Sequence, residues 1–471
     1  MLNVINAKRL EDALYSSTVA RKSFFVGPLA TLGLDLARFH SLQFRHVVES
    51  VFRLLSDKYP DARVAVAAYG SASREEMAAH SDADVLVITS AESRSERTFR
   101  KDFARLLDQF GFAKVDIPNW GTIADLEQLA QVNIVEGNQV LESEVIIGDA
   151  ELVSEFEKMK RRASSVERAI SNLVFQKYCY DHYYAKRKKT GLINIKYSHG
   201  GTRDLLFFVW IAKLEALRRG DRAEIRTLLD ALDYLELIGD ISKTQKEKLS
   251  RAASLVILLR SEVLKTNHST TERGLSFYNP KSTRTFRFSN ILSLVFESHD
   301  QMARAYKKCS NVISVMKSTL IKHTFSRYLE AESQLLMKVA RRPSSEIGTF
   351  LNSDNRMTRL ICIWEMSLRG RYPRCEGLVS GYISSDLNKL TWEETASLVA
   401  NEDLGTEQIK KLTSSIISKP HFGYILKMVA QHPNTPREVL ETIAKQASGE
   451  RYKELARIAL SKGVNETNFQ V

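Results

Sequence analysis

An apolar run, Val64-Ala65-Val66-Ala67-Ala68, stops at Tyr69-Gly70-Ser71 and passes into Ala72-Ser73-Arg74-Glu75. A second run, Val85-Leu86-Val87-Ile88, opens directly behind Ser81-Asp82-Ala83-Asp84. Short apolar runs bounded by turn residues read as strands. Ala72 to Ala79 reads as a short helix between them. Successive side chains of a strand alternate in direction, so Asp82 and Asp84 leave the same face at the mouth of the second strand.

Those residue types suit one chemistry. Two hard carboxylates on one face can share divalent cations such as Mg2+ or Mn2+, which also bind triphosphate oxygens. A metal pair about 4 Å apart can stabilise both the attacking and the leaving oxygen of an in-line displacement. Gly70 lets the backbone approach a phosphate, and Ser71 offers a hydroxyl and an N–H. The start of the short helix would face the same anion. The pattern therefore predicts a chain that grips a nucleoside triphosphate with the help of metal.

A third acid is expected on a neighbouring strand. Arg94 to Phe110 reads as an amphipathic helix, Gly111 breaks it, and Phe112-Ala113-Lys114-Val115-Asp116-Ile117 reads as a strand stopped by Pro118. Asp116 would then sit beside the pair, as metal ligand or as the base that takes the acceptor's proton. The plainer alternative leaves Asp82 ending a loop, Asp84 solvated and Asp116 closing an edge strand. The upstream Gly-Ser and the downstream strand favour catalysis.

The chain has 471 residues, enough for two or three domains. Its formal net charge of +12 favours anionic partners: a triphosphate, nucleic acid or an acidic protein. The start of the chain lacks a signal-peptide pattern, and its most apolar run, Leu205 to Ala212, is too short to span a bilayer. No membrane association and a cytoplasmic location are expected. Cys179, Cys309, Cys362 and Cys375 are scattered without metal-type spacing and read as free thiols.

Residues 1 to about 60 read as helical, with Leu36, Phe39, Val47, Val51 and Leu54 on one face. Residues 61 to 118 alternate strand and helix as a small α/β unit, and Thr122 to Arg187 reads as helical, broken near Gly148-Asp149. Basic clusters stand at Lys158-Met159-Lys160-Arg161-Arg162 and Lys186-Arg187-Lys188-Lys189. Each by itself reads as a solvated helix face or end. A second motif follows: Asn194-Ile195-Lys196-Tyr197-Ser198-His199-Gly200-Gly201-Thr202-Arg203-Asp204 enters the apolar helix beginning at Leu205, with Thr202 as N-cap. Lys196, His199 and Arg203 can hold phosphate or orient a carboxylate. A tight interhelix turn with Arg203 and Asp204 as a surface pair is the alternative.

Gly70-Ser71 with Arg74-Glu75, Ser81-Asp82-x-Asp84, and Gly200-Gly201-Thr202-Arg203-Asp204 before an apolar helix together resemble the bacterial signal-transduction nucleotidyltransferases. That family includes the uridylyltransferase of the PII protein and the adenylyltransferase of glutamine synthetase. Leu258-Leu259-Arg260 to Leu264, His268 and Leu275-Ser276-Phe277 are similar to the helical segment behind the catalytic core of the PII-modifying enzymes. The resemblance spans roughly residues 60 to 300 and implies a polymerase-β-like fold. It implies that Asp82, Asp84 and Asp116 bind Mg2+ or Mn2+ and form the catalytic set. Gly70, Ser71, Arg74, Lys196, Gly200, Gly201 and Arg203 would bind the nucleotide. Asp116 is followed by Ile117-Pro118-Asn119-Trp120 instead of the basic run of the adenylyltransferases, and no His-Asp hydrolase pattern follows residue 300.

The expected architecture is α+β. A small mixed-sheet core (61–150) follows N-terminal helices (1–60) and precedes a helical lobe (151–340) and an all-α, repeat-like region (345–471). Within the last, Val399-Ala400-Asn401-Glu402-Asp403 to Ile409 partly matches Val429-Ala430-Gln431-His432-Pro433-Asn434-Thr435-Pro436 to Leu440, with a weaker copy near Ile458; an ordinary helical bundle with one chance similarity is the alternative. Such repeats would form a partner surface. The expected reaction moves NMP from an NTP to an acceptor hydroxyl, on a protein, with release of pyrophosphate. The alternatives are an RNA acceptor such as a tRNA end, and a non-catalytic nucleotide-binding module.

Overall fold

The computed structural model describes residues 30–78, 81–91, 93–110, 115–116, 120–188, 193–267, 276–278, 295–296, 298–338, 344–368, 372–386, 390–419 and 421–447, with 453, 456–457 and 459–460. Expectations for residues 1–29, His268 and Leu275 lie outside them, as do those for Gly111 to Lys114 and Ile117 to Asn119. The chain divides into two compact units. One holds Met1–Leu126, Gln139–Val166 and Arg187–Lys322; the other holds Glu127–Asn138, Glu167–Lys186 and His323–Val471.

In the first unit, α1 (Leu32–Lys58) buries Phe44, Val48, Val51, Phe52 and Leu55. The expected helix is present, but its buried stripe is rotated, and Leu54 stays 60% exposed. β1 (Val64–Ala68) is buried along its whole length. It runs antiparallel to β2 (Ala83–Thr89), Val64 opposite Thr89 and Ala68 opposite Val85. Between them stands α2 (Gly70–Ser73), shorter than predicted. α3 (Arg94–Asp108) starts on a Ser93–Glu96 capping box and buries Phe99, Phe103 and Leu107. The Phe99 ring meets Phe52 of α1 at 5.5 Å.

β3 (Val115–Asp116) and β4 (Trp120–Thr122) both pair parallel with β2. After α4 (Ile123–Val132) and α5 (Ile134–Glu142) comes β5 (Glu144–Gly148), antiparallel to β1. β5 corrects the helical reading of that stretch. The result is a five-stranded mixed sheet with β1 and β2 at its centre. The fold class is α+β, the architecture expected for the chain as a whole.

α6 (Ala150–Ala163) is capped by Asp149, which accepts from the Leu152 N–H at 2.9 Å. Its last turn carries Lys160, Arg161 and Arg162, where cations complement the helix dipole. That basic cluster is a helix end. α7 (Val166–Lys188) leads to β6 (Ile193–Asn194), and then α8 (Thr202–Arg219) begins. α8 is buried almost continuously from Thr202 to Ala216. Its N-cap is Gly201, one residue before the predicted Thr202. α9 (Leu228–Leu237), α10 (Lys243–Asn267), β7 (Ser276–Tyr278) and α11 (His299–Tyr328) follow, with β7 antiparallel to β6. α10 is pressed onto α1: the Gly33 N–H donates to Ser254 Oγ at 3.0 Å, and a Cβ on Gly33 would lie 1.8 Å from the Ser254 carbonyl oxygen.

The second unit carries α12 (Ala331–Lys338), α13 (Ser344–Thr349), α14 (Arg356–Leu368), α15 (Tyr372–Asp386), α16 (Trp392–Val399), α17 (Thr406–Ile416), α18 (Gly423–Ala430) and α19 (Arg437–Gln446). α12, α14, α16 and α18 pack in succession, and α13, α15 and α17 form a second row. The helices of this unit are thus stacked in two rows. The two matching segments form adjacent loops. His432 Nε2 bonds the Asn401 carbonyl at 2.8 Å, and Asn434 Nδ2 donates to the Glu402 and Leu404 carbonyls at 3.0 and 3.1 Å. The aromatic core of this unit joins Phe175 and Tyr178 to Trp364 and Trp392. Among the described residues no helix is long and apolar enough to cross a membrane.

Candidate nucleotidyltransferase site

The turn after β1 is built around one carboxylate. Gly70 has φ +64°, and a Cβ there would lie 2.5 Å from Asp84 Oδ2. Only glycine fits a left-handed position this close to another side chain. The Tyr69 N–H donates to the Asp84 carbonyl at 3.2 Å, fixing the turn to β2. Ser73 Oγ bonds the Gly70 carbonyl at 3.0 Å, and the Ser71 carbonyl accepts from Glu76 N–H at 2.8 Å. Ser71 is half-buried beside Gly70.

Asp82 and Asp84 are both half-buried at the start of β2, where every other residue from Ala83 to Thr89 is buried. The Ala78 N–H donates to Ser81 Oγ, the residue before Asp82, at 3.0 Å. Asp116 is the register partner of Asp84 in the parallel β2–β3 pair. The strand expected to carry it is present at the expected neighbour; its side chain lies outside the described residues. Among the described residues no group of three or more His, Cys, Asp or Glu side chains is gathered in metal-binding geometry. The cradle left by the missing Gly70 Cβ opens onto Asp84 Oδ2, and Asp82 and Asp84 supply oxygen donors only. That donor set fits a hard divalent cation.

Arg74, one of the residues expected to bind the nucleotide, makes two ion pairs. Its Nε pairs with Glu76 Oε2 at 3.1 Å and its Nη1 with Glu142 Oε2 at 3.4 Å. Glu142 Oε1 also accepts from the Trp210 indole of α8. Arg74 is thus held by two carboxylates and braces the turn against α8, with its charge already balanced. A polar cleft of about 290 Å³ behind the turn is lined by Arg38, Arg74, Glu75, Glu144, Arg226 and neighbouring residues, and by none of the three acids. Its charges are paired within it: Arg38 with Glu75, Arg226 with Glu144.

The glycine loop before α8 is also tightly made. Asn194 Oδ1 accepts from the Lys196 and Tyr197 N–H groups at 3.0 and 3.1 Å. Gly200 has φ +71°, and a Cβ there would lie 1.9 Å from the Ser310 carbonyl oxygen of α11. A Cβ on Gly201 would lie 2.3 Å from the Ile195 carbonyl oxygen. Their N–H groups are spent on Asp204 Oδ2 and the Ser198 carbonyl. These glycines let the loop lie against α11, so the loop offers a phosphate its side chains and not these two amides. Asp204 is fully buried and pairs with Lys317 of α11 at 2.7 Å, so it is not the surface residue that the alternative reading made it.

Lys196 and Arg203 flank Tyr197, Lys196 Nζ at 5.1 Å and the Arg203 guanidinium carbon at 5.6 Å from its ring centre. Burial lowers the Lys196 pKa, and Arg203 and Arg260 push it the same way. Burial pushes the Tyr197 phenol up, yet Lys196 and Arg203 more than offset this and bring it to about 8. His199 is exposed. Arg260, Tyr197 and Glu142 were not singled out as site residues by sequence. Arg260 did lie in the stretch similar to the PII-modifying enzymes.

Two segments of the chain match known protein families. Residues 30–116, which carry the turn and the three aspartates, match the family model described as "Putative nucleotidyltransferase DUF294". Residues 181–321, which carry the glycine loop, Arg260 and Lys317, match "GlnD PII-uridylyltransferase". A bifunctional uridylyltransferase/uridylyl-removing enzyme of Pasteurella multocida is 23% identical over 286 residues, 59% of this chain and 30% of that enzyme. The chain therefore spans under a third of that relative's length. In its sheet domain and the helical lobe behind it, the chain is thus similar to the PII-uridylyltransferase-like nucleotidyltransferases.

Proposed function

We propose that this protein transfers a nucleoside monophosphate from an NTP to an acceptor hydroxyl, releasing pyrophosphate. The observation that carries the reading is the Gly70–Asp84 cradle, with Asp116 in register beside it. Asp82, Asp84 and Asp116 would hold Mg2+ or Mn2+. Such a cation supplies charge neutralisation of the triphosphate and of the oxygens that exchange at the α-phosphorus. Gly70 and Ser71 border the triphosphate, and the Lys196 and Arg203 side chains hold its outer phosphates. Asp116, where it is not a ligand, takes the acceptor's proton.

A protein is the preferred acceptor. The match of 181–321 to PII-uridylyltransferase supports it, and the stacked repeats of the second unit would offer a docking surface. The direct test incubates the protein, Mg2+ and each of the four labelled NTPs with host lysate. Label in a protein band supports the reading. Label in RNA alone would replace the acceptor, and NTP binding without transfer to any acceptor would make the chain a regulatory module.

A further inference from the structure

The entry into β5 is held from several directions. Glu142, the last residue of α5, uses both carboxylate oxygens: Oε1 accepts from the Trp210 indole of α8, and Oε2 pairs with Arg74 Nη1 at 3.4 Å. The next carbonyl, of Ser143, accepts from Lys160 Nζ of α6 at 2.7 Å. Glu144 then pairs with Arg45 of α1 and with Arg226 ahead of α9. Glu142 therefore stands on anchored backbone. From Arg74 the bonds run on to the catalytic turn: Arg74 Nε pairs with Glu76 Oε2 at 3.1 Å, and the Glu76 N–H donates to the Ser71 carbonyl at 2.8 Å. From Trp210 the link runs back along α8 to Thr202, where the glycine loop ends, roughly 12 Å away at the rise of a helix. The side chains of Arg74, Glu76 and Glu142 are only 11%, 8% and 14% exposed, so water offers little replacement for a lost partner.

We propose that Glu142 is a positioning residue for transfer: its carboxylate ties the Gly70-Ser71 turn to α8 and so fixes the metal acids relative to the glycine loop. This rests on the nucleotidyl-transfer reading above. Glu142 acts through Arg74 and Trp210, not on the nucleotide or the metal. A carboxylate suits the place because both partners, a guanidinium and an indole N–H, only donate. Glutamine would turn its NH2 group toward one of them. Aspartate keeps two accepting oxygens on a shorter stem. The groups that would hold the cation and the phosphates are untouched by either change. Loosening the tie should therefore misalign the reacting groups more than it weakens nucleotide binding.

The test measures transfer of labelled NMP into host lysate by the full chain with Mg2+, as the rate at saturating NTP and the NTP concentration that gives half of it. Glu142→Gln should lower the saturating rate roughly 10- to 100-fold and leave the half-saturating concentration nearly unchanged. Glu142→Asp should recover part of the rate. Trp210→Phe keeps a ring and removes the N–H; it should lower the rate in the wild-type background and cost nothing further in Glu142→Ala. Urea unfolding gives the folded fraction of each variant. A Glu142→Gln protein with the wild-type rate per folded molecule, or with its whole loss in the half-saturating concentration, overturns the positioning assignment and leaves nucleotidyl transfer standing. Should the Glu142 variants not fold, Trp210→Phe decides, and a wild-type rate there overturns the assignment. Absence of transfer by wild type to any acceptor overturns the nucleotidyl-transfer reading and the assignment with it.

Discussion

Asp84 Oδ2 occupies the space in which a side chain on Gly70 would begin, 2.5 Å from that absent Cβ. The turn and the acid are therefore one unit. Gly70→Ala adds a methyl group against the carboxylate and places alanine at φ +64°. The left-handed strain costs about 1–2 kcal/mol. Displacing Asp84 by even about 1 Å should lower transfer on the order of 100-fold. Urea unfolding and single-turnover transfer measure the two effects separately. A variant of normal stability and normal rate would dissolve the link.

The Asp204–Lys317 pair should dominate the stability of the helical lobe. Asp204 is fully buried, and both of its oxygens are engaged, by Lys317 Nζ and the Gly200 N–H at 2.7 Å each. Lys317→Met strands a buried carboxylate and should cost about 3–5 kcal/mol in urea unfolding. Adding Asp204→Asn to it should restore part of the loss. Equal destabilisation by the single and the double variant would contradict the pairing.

Tyr197 should report on the Lys196–Arg203 pair. Its phenol ionises at about 8 when folded, against 10.0 ordinarily, because Lys196 and Arg203 outweigh burial. The folded value is the depressed one, so the contribution to stability is fully present above about pH 10. It declines as pH falls through 8 and is absent below. The wild-type minus Tyr197→Phe difference spectrum should show a phenolate step near pH 8. Tripolyphosphate should move that step upward by cancelling the two cations. A step near 10 with or without tripolyphosphate would contradict the placement of Lys196 and Arg203.

Local signals made much of this legible. β1 and β2 announce themselves because Gly70-Ser71 and Ser81-Asp82 punctuate apolar runs, and α3 because its capping box and its Phe99–Phe103–Leu107 stripe share one helical period. The likeness of Val399-Ala400 to Val429-Ala430 falls on two neighbouring loops that His432 and Asn434 join. β5 was hidden: Glu144-Val145-Ile146-Ile147-Gly148 has no alternation, and its strand state depends on the distant edge of β1. The buried face of α1 was misjudged by one position because α10 and the sheet, not the helix alone, set it. Arg74, Gly200 and Gly201 carry motif positions whose work is bracing and close packing, set by Glu76, Glu142 and Ser310 far along the chain. Glu142 looks like any acid at a helix end until folding sets it between Arg74 and Trp210.

The most direct measurement is transfer of labelled NMP by Asp84→Asn in saturating Mg2+, beside wild type and with thermal unfolding as control. The substitution keeps the shape of the side chain and removes the charge that would hold the cation. Turnover should fall at least roughly 100-fold while the unfolding midpoint barely moves. Near-normal transfer by a folded Asp84→Asn would contradict a metal-dependent nucleotidyltransferase centred on this turn.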